Sequence, residues 1–354
     1  MITIDGSMGE GGGQILRTAV ALSALTLKPI KVYNIRAKRS NPGLRPQHIM
    51  AIKAVAQLSN AEVEGLRVGS STIVFRPREL RGGIFNFDIG TAGSISLVLQ
   101  ALLPVIAFID EKVEITIRGG TDVSWSPPID YMRYVFLPLL RELGLEVLLE
   151  VKRRGHYPKG GGIVRIESNG TSKLRPINRL NRGSLVIVKG RSHAVKLPAH
   201  VARRQAIAAK ETLRASGINV PIEIEIETYE PYRDPHLGPG SGIVLCAITE
   251  DRCRLGGDSL GARGKPAEKV GREAALKLLE ELKSGMAFDR HMGDMLIPYV
   301  ALAKGISRLG VSQLTMHTWT SIKLTEMIIG ASFSIQGDMG EKCIIECRGA
   351  GLKS

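Results

Sequence analysis

A fixed order of elements runs from Ile2 to Pro77 and starts again at Phe85, and a repeat of this kind dictates architecture before any single residue does. The first unit opens with an extended segment, ITID, and a glycine-rich turn, GSMGEGGG. A helical pattern follows in QILRTAVALSALT, with Ile15, Ala19 and Leu22 on one face. An alternating strand (IKVYNI), a helix from Arg45 to Leu58 and a hairpin pair (EVEGLRV, TIVFRP) close it. The second unit runs FNFDIG, GTAGS, SLVLQALLPVIAF, VEITIRGG, a helix from Pro127 to Leu143, and the pair LEVLLEV and GIVRIES. A third appears near the C-terminus, with HMGDMLIPYVALAKG as its first helix, SQLTMHTWT as a strand, SIKLTEMIIGA as its second helix, and SFSIQG with KCIIECRG as the closing pair.

Between the second and third units, LVIVKGR, VPIEIEIETYE and GIVLCAITE read as strands, and HVARRQAIAAKETLRAS and AEKVGREAALKLLEELKSG as amphipathic helices. The expected fold class is α/β: a large domain of three repeated strand-helix-strand-helix-hairpin units (1–180 and 285–354) with a smaller inserted α/β domain (181–284). A length of 354 residues fits two or three domains at roughly 100–200 residues each. Hydrophobic residues at 44% are enough for a core and too many for a disordered chain. The 48 Lys and Arg against 34 Asp and Glu leave a net charge of +14, which points to a polyanionic partner, nucleic acid first, or to a uniformly basic surface. MITIDGSMGE lacks the basic and apolar regions of a signal peptide, and the Ser94–Ile109 stretch is too short to span a bilayer. A cytoplasmic protein without a membrane role is expected, and Cys246, Cys253, Cys343 and Cys347 form no zinc pattern and read as reduced thiols.

Several segments can carry chemistry. In GEGGGQILR, Glu10 and three glycines precede a helix start, a place where backbone amides accept phosphate and a carboxylate can hold a divalent metal; close helix–strand packing explains the glycines equally well. Arg17 lies about two helical turns beyond Glu10. RAKRSNPGLRPQH gathers Arg36, Lys38, Arg39, Arg45, Gln47 and His48 at a turn, as a phosphate grip or as a solvated basic loop. Gln100 interrupts an apolar helix face after GTAGS and needs a partner, backbone or ligand. His317 in LTMHTWTSIK is a nucleophile or general-base candidate, placed on a strand by the alternation of Thr318 and Thr320, although a lone histidine is more often structural. His291 and Asp294, three apart at a helix start, can face one ligand. Asp234 and His236 in PYRDPHLGPGSG read as part of a mobile surface loop.

Taken together, GEGGGQILR, RPQHIMAIKA, FDIGTAGSISLVLQ, GGTDVSWSPP, PKGGG and MHTWTSIK resemble, in order, the RNA 3′-terminal phosphate cyclase family. The resemblance implies an ATP-dependent enzyme that turns an RNA 3′-phosphate into a 2′,3′-cyclic phosphodiester, through a covalent histidine–AMP and an RNA-(3′)pp(5′)A intermediate. It assigns the nucleophile to His317, a metal contact (Mg or Mn) to Glu10, and phosphate contacts to Arg17, Arg39 and Gln47. Gln100, His291, Met292, Gly293, Asp294 and Met295 fall at its adenosine contacts; Met295 replaces a usual amide, and Glu79 matches an acid of unassigned role. The partners implied are ATP and RNA with a 3′-phosphate end, with a homo-oligomer left open. Two rivals share the repeats: a non-catalytic cyclase-like protein of ribosome biogenesis, against which His317, Glu10 and Arg17 argue, and an enolpyruvyl-transferase-like enzyme, which needs six repeats. A pure RNA-binding module is the third alternative.

Overall fold

The computed structural model describes residues 1–171 and 173–352. The first unit comprises β1 (Ile2–Asp5), α1 (Gly13–Thr26), β2 (Ile30–Tyr33), α2 (Pro46–Leu58), β3 (Glu62–Glu64) and β4 (Ile73–Arg76). Its sheet order is β1-β2-β4-β3, with β1 and β2 parallel and the other pairs antiparallel. The second unit contains β5 (Gly83–Asp88), α3 (Ile95–Ile106), β6 (Val113–Gly119), α4 (Ile129–Tyr131), α5 (Leu137–Leu143), β7 (Leu148–Arg153) and β8 (Gly162–Ser168). Its order, β5-β6-β8-β7, copies the first. The helix expected from Pro127 to Leu143 starts two residues later and passes through a π turn at Met132–Phe136 between α4 and α5.

The third unit begins with β9 (Asn178–Arg179), too short to stand out in the sequence. The chain then leaves through β10 (Leu185–Val195), α6 (His200–Ala215), β11 (Ile222–Thr228), β12 (Gly240–Thr249), β13 (Arg254–Leu260) and α7 (Ala267–Lys283). These strands form their own sheet, β11-β10-β12-β13, and the two helices pack on each other. A backbone bridge between Asn181 and Met286 marks where the chain returns. There α8 (Arg290–Met295), α9 (Ile297–Leu302), β14 (Lys304–Val311), α10 (Met316–Ile329), β15 (Ser332–Gln336) and β16 (Cys343–Ala350) complete the unit. Its sheet, β9-β14-β16-β15, has the same pairing pattern again.

Two expectations for the third unit are corrected. SQLTMHTWT is not a strand; the strand is β14, and His317 stands in the first turn of α10. Thr315 caps that helix by accepting from the Thr318 amide, and the Thr320 hydroxyl donates back to the Met316 carbonyl. Threonine hydroxyls thus serve helix ends and turns as readily as strands, and the alternation misled. HMGDMLIPYVALAKG is two short helices rather than one, parted at Leu296, with Pro298 at the start of α9.

The helices of the three repeats meet at the centre, α1 against α3 and α10, and α2 against α3. Leu22, Leu99, Leu103, Ile322 and Leu324 are fully buried there. Trimming one such leucine to alanine costs about 2–5 kcal/mol. Because α1 and α10 lie side by side, their N-terminal turns open at neighbouring points, and the site is built there. Among the described residues no helix is long and apolar enough to cross a membrane.

Candidate active site

His317 sits in the N-terminal turn of α10 with its side chain half exposed. Its Nδ1 lies 3.5 Å from Glu10 Oε1, and Glu10 Oε2 lies 3.5 Å from Arg39 Nη2. The Glu10 carboxylate, also half exposed, is held loosely from both sides and keeps lone pairs free for a further partner. Gln14, in the first turn of α1, fixes the mouth: its Nε2 donates to the His317 carbonyl at 3.1 Å and to Asp294 Oδ2 at 3.2 Å. One amide therefore ties α1, α8 and α10 together.

Behind this mouth is a cavity of about 30 Å³ lined by Gln14, Arg17, Gln100, Asp294, Met295 and Tyr299, among others. Two of its polar atoms, Arg17 Nε and the Tyr299 hydroxyl, are buried without a hydrogen-bond partner among the described residues. Such orphans are costly and mark a place where a ligand or water completes the bonding. Burial pulls the Arg17 guanidinium down to about 10, with Asp294 acting in the opposite direction. Burial pushes the Asp294 carboxyl up to about 6, and His317, His291 and Arg17 hold it from rising further. A larger cavity, about 390 Å³, lies elsewhere, beside Arg153, Arg191 and Glu227. The smaller one holds the unpartnered atoms of Arg17 and Tyr299 and is linked to His317 through Gln14, which lines it and donates to the His317 carbonyl.

The glycines earlier in the mouth are needed for close approach. A Cβ on Gly13 would come within 2.2 Å of the His48 ring, and one on Gly9 (φ +55°) within 2.3 Å of the Thr320 hydroxyl. His48 is buried and accepts from the Arg45 amide through Nδ1; burial, then Arg17, Arg36 and Arg45, lower it to about 3, so it stays neutral.

The other expected site residues separate into those at the mouth and those spent on structure. Gln47 Oε1 accepts from the Ser94 amide and joins the first repeat to the GTAGS turn of the second. Arg36 donates to the carbonyls of Asn41 and Gly43, holding its own loop. His291 is exposed and meets the Tyr131 ring edge-on, with centroids 5.9 Å apart. Met292 is fully buried in the apolar core, while Met295 reaches the cavity wall. Gly293 lets α8 approach Val311, where a Cβ would meet Cγ1 at 2.6 Å. Glu79 pairs with Asn60 and Arg81 on the surface. Asp234 and His236 are buried and bonded to each other at 2.7 Å, which corrects their reading as a mobile surface loop. The four cysteines are buried free thiols.

Gln14 and Tyr299 were not legible as site residues. Gln14 follows the glycine run directly, a weak signal, and Tyr299 lies in an apolar helical pattern where nothing marks its hydroxyl.

An imidazole, a carboxylate and a part-buried guanidinium gathered at adjoining helix N-termini suit phosphate esters: amides and a guanidinium can take negative charge, and an imidazole is a competent nucleophile. A model of the family described as RNA 3′-terminal phosphate cyclase matches residues 8–335. The chain belongs to that family. It is 56% identical over 350 residues to the RNA 3′-terminal phosphate cyclase of Ignicoccus hospitalis, covering 99% of both chains. It is 58% identical over 353 residues to that of Hyperthermus butylicus, covering 99% of this chain and 98% of the relative. Among solved structures, the enolpyruvyl transferase NikO from Streptomyces tendae matches at a TM-score of 0.35 and 11% identity, over all of this chain and 50% of that one, too weak to decide anything.

Proposed function

We propose that this chain closes an RNA 3′-phosphate into a 2′,3′-cyclic phosphodiester at the expense of ATP, with His317 as the nucleophile. The observation that carries the reading is the His317 imidazole beside the Glu10 carboxylate, with its backbone carbonyl held by Gln14, a wall of the cavity that contains the unpartnered atoms of Arg17 and Tyr299.

In the first step a ring nitrogen of His317 attacks the α-phosphorus of ATP, and the P–O bond to pyrophosphate breaks. Glu10 stands on the Nδ1 side, which favours the Nδ1–H form and leaves the Nε2 lone pair for phosphorus. Gln14 fixes the backbone of the attacking residue through the His317 carbonyl. Arg17 and the α10 N-terminus offset phosphate charge. Gln100, Tyr299 and Asp294 offer the polar groups of a nucleoside pocket.

A 3′-phosphate oxygen of the RNA then attacks the same phosphorus, freeing the imidazole and leaving RNA-(3′)pp(5′)A. Finally the neighbouring 2′-hydroxyl attacks the 3′-phosphorus, loses its proton, and AMP departs. That last step is intramolecular, and proximity of this kind removes on the order of 7–11 kcal/mol of barrier. A DNA end has no 2′-hydroxyl and cannot complete it.

The loosely held carboxylate of Glu10 fits one oxygen-seeking divalent ion, Mg²⁺ or Mn²⁺, of the kind that keeps most of its waters and shares phosphate oxygens. When bound, such an ion neutralises phosphate charge. The four free thiols suit a reducing cytoplasm.

Incubation with α-labelled ATP tests the reading. Acid-labile, alkali-stable label on the protein, chased by RNA with a 3′-phosphate into phosphatase-resistant ends, is the expected result. Cyclised ends formed without any labelled protein would overturn the covalent route.

A further inference from the structure

A second cluster of histidines and carboxylates lies away from His317, where the second repeat meets the sheet of β10–β13. Asp122 and His156 come from the loops around β6 and β7–β8, and His193 from β10. All three are at least nine-tenths buried. One donor atom from each lies within 4.8 Å of the other two. The Nε2 atoms of His156 and His193 stand 3.3 Å apart. Two imidazole nitrogens bound to one tetrahedral zinc, at roughly 2.0–2.1 Å each, are separated by roughly 3.3–3.4 Å.

The surroundings also lack a partner. Among the described residues, Asp122 Oδ1 and His193 Nδ1 are buried and unbonded, and so is Nε2 of the neighbouring His236. Asp122 Oδ2 is occupied by Thr121 Oγ1 at 2.7 Å and Arg154 at 3.1 Å, so Oδ1 is the oxygen left for an ion. The nearby Arg154 does not make the pocket cationic. It pairs with three carboxylates, Asp122, Asp130 and Glu227, an excess of two negative charges over its one positive charge. Arg191 reaches Glu227 from outside but is itself paired with Glu225. His236 Nδ1 bonds Asp234 at 2.7 Å, the carboxylate–histidine arrangement that leaves Nε2 bare as a ligand. A cavity of about 390 Å³ lies on the far side of Arg154, lined by Arg154, Glu227 and Tyr229.

We propose that Asp122, His156 and His193 form a structural site for a four-coordinate transition metal of the zinc type, with His236 or a water in the fourth position, which staples the β10–β13 sheet to the second repeat. Two nitrogens and one oxygen suit Zn²⁺ or its analogue Co²⁺ and not Mg²⁺, so this site and the one at Glu10 select different ions.

The test uses the full chain, stripped with chelator and titrated with Co²⁺ and Zn²⁺. The expected result is one equivalent of Co²⁺ with the visible bands of a four-coordinate N/O site, displaced by Zn²⁺, and a rise in Tm on zinc addition. H193Q and H156N lose both signals, whereas H317N keeps them. H193Q and H156N each remove one of the three protein ligands, so one folded variant suffices, and circular dichroism shows which has folded. Absence of metal uptake by the wild-type chain overturns the proposal and leaves the two neutral imidazoles sharing a single proton. Visible bands that vanish in H317N but persist in H193Q overturn it too, because the metal then sits at the nucleophile.

Discussion

Two regions of this molecule use the same side chains to opposite ends. At the mouth between α1 and α10, a histidine and two flanking ionic groups are half exposed and meet at 3.5 Å. At the joint with the β10–β13 sheet, Arg154 is 1% exposed and makes bonds of 2.6–3.1 Å to three carboxylates. Loose, hydrated contacts contribute little to stability and leave the groups free to exchange partners during a reaction. Tight buried contacts are costly to break, because the survivor is left as an uncompensated charge. The mouth is therefore where substitution should remove activity and spare the fold, and the joint is where it should do the reverse.

The largest expected effect is at the mouth. His317→Ala abolishes capture of AMP, while the unfolding free energy changes by no more than the about 0.5 kcal/mol typical of a surface substitution. The comparison breaks if the variant still takes up α-labelled nucleotide with an unchanged circular dichroism spectrum.

At the joint, Arg154→Met leaves Asp122, Asp130 and Glu227 facing each other without their cation and costs about 3–5 kcal/mol of stability. Burial already raises the Asp130 pKa even with Arg154 present. Without Arg154 that carboxyl takes up a proton more readily, so the variant regains part of its loss at acidic pH. Urea unfolding at two pH values checks this; a loss below about 1 kcal/mol at neutral pH contradicts the assignment of the network as a structural anchor.

The sequence made the fold legible because the repeat is written in it. Glycine turns, apolar helix faces and closing hairpins recur in register, and each is a local signal. What the sequence hid is non-local. Gln14, Asp294 and His317 meet across separations of 280 and 303 residues. Arg154 and Glu227, 73 residues apart, carry nothing in their neighbourhoods to announce a buried pair. Strand β9 was invisible because two residues have no periodicity. The misassigned MHTWT segment shows the limit of a local pattern: threonines that alternate along the chain were capping and back-bonding a helix. The family resemblance assigned roles to His317, Glu10 and Asp294, but it did not supply the geometry that joins them.

A third prediction concerns pH. The folded Asp294 pKa, about 6, lies above its ordinary value of 3.8. Below about pH 4 the group is protonated in both states and exacts no penalty. Between pH 4 and 6 the unfolded chain ionises first, and folding stability falls by up to about 2–3 kcal/mol, a loss that persists above pH 6. Asp294→Asn should flatten this part of the Tm–pH curve. An identical slope in wild type and variant would show that Asp294 is ionised normally at the mouth.

The smallest effect sharpens what belongs to the open region. Trp125 is 99% exposed, and it holds φ at +65°, a conformation bulky residues seldom adopt. Its loop follows β6 and is pinned beside the GTAGS turn, where Gly120 donates to the Gly93 carbonyl at 2.8 Å and Ser94 donates to Gln47. An indole held out to water offers a platform for a base of single-stranded RNA, a contact worth about 1–3 kcal/mol. Trp125→Ala is expected to weaken RNA binding by several-fold to about 100-fold and leave nucleotide capture by His317 unchanged, with Trp125→Phe restoring most of the loss. Because stacking tolerates salt better than phosphate pairing does, the variant should show the same salt dependence as the parent at a lower affinity. An unchanged affinity for a 3′-phosphorylated oligonucleotide removes Trp125 from the RNA path; a loss of nucleotide capture instead ties the loop to the mouth through Gln47.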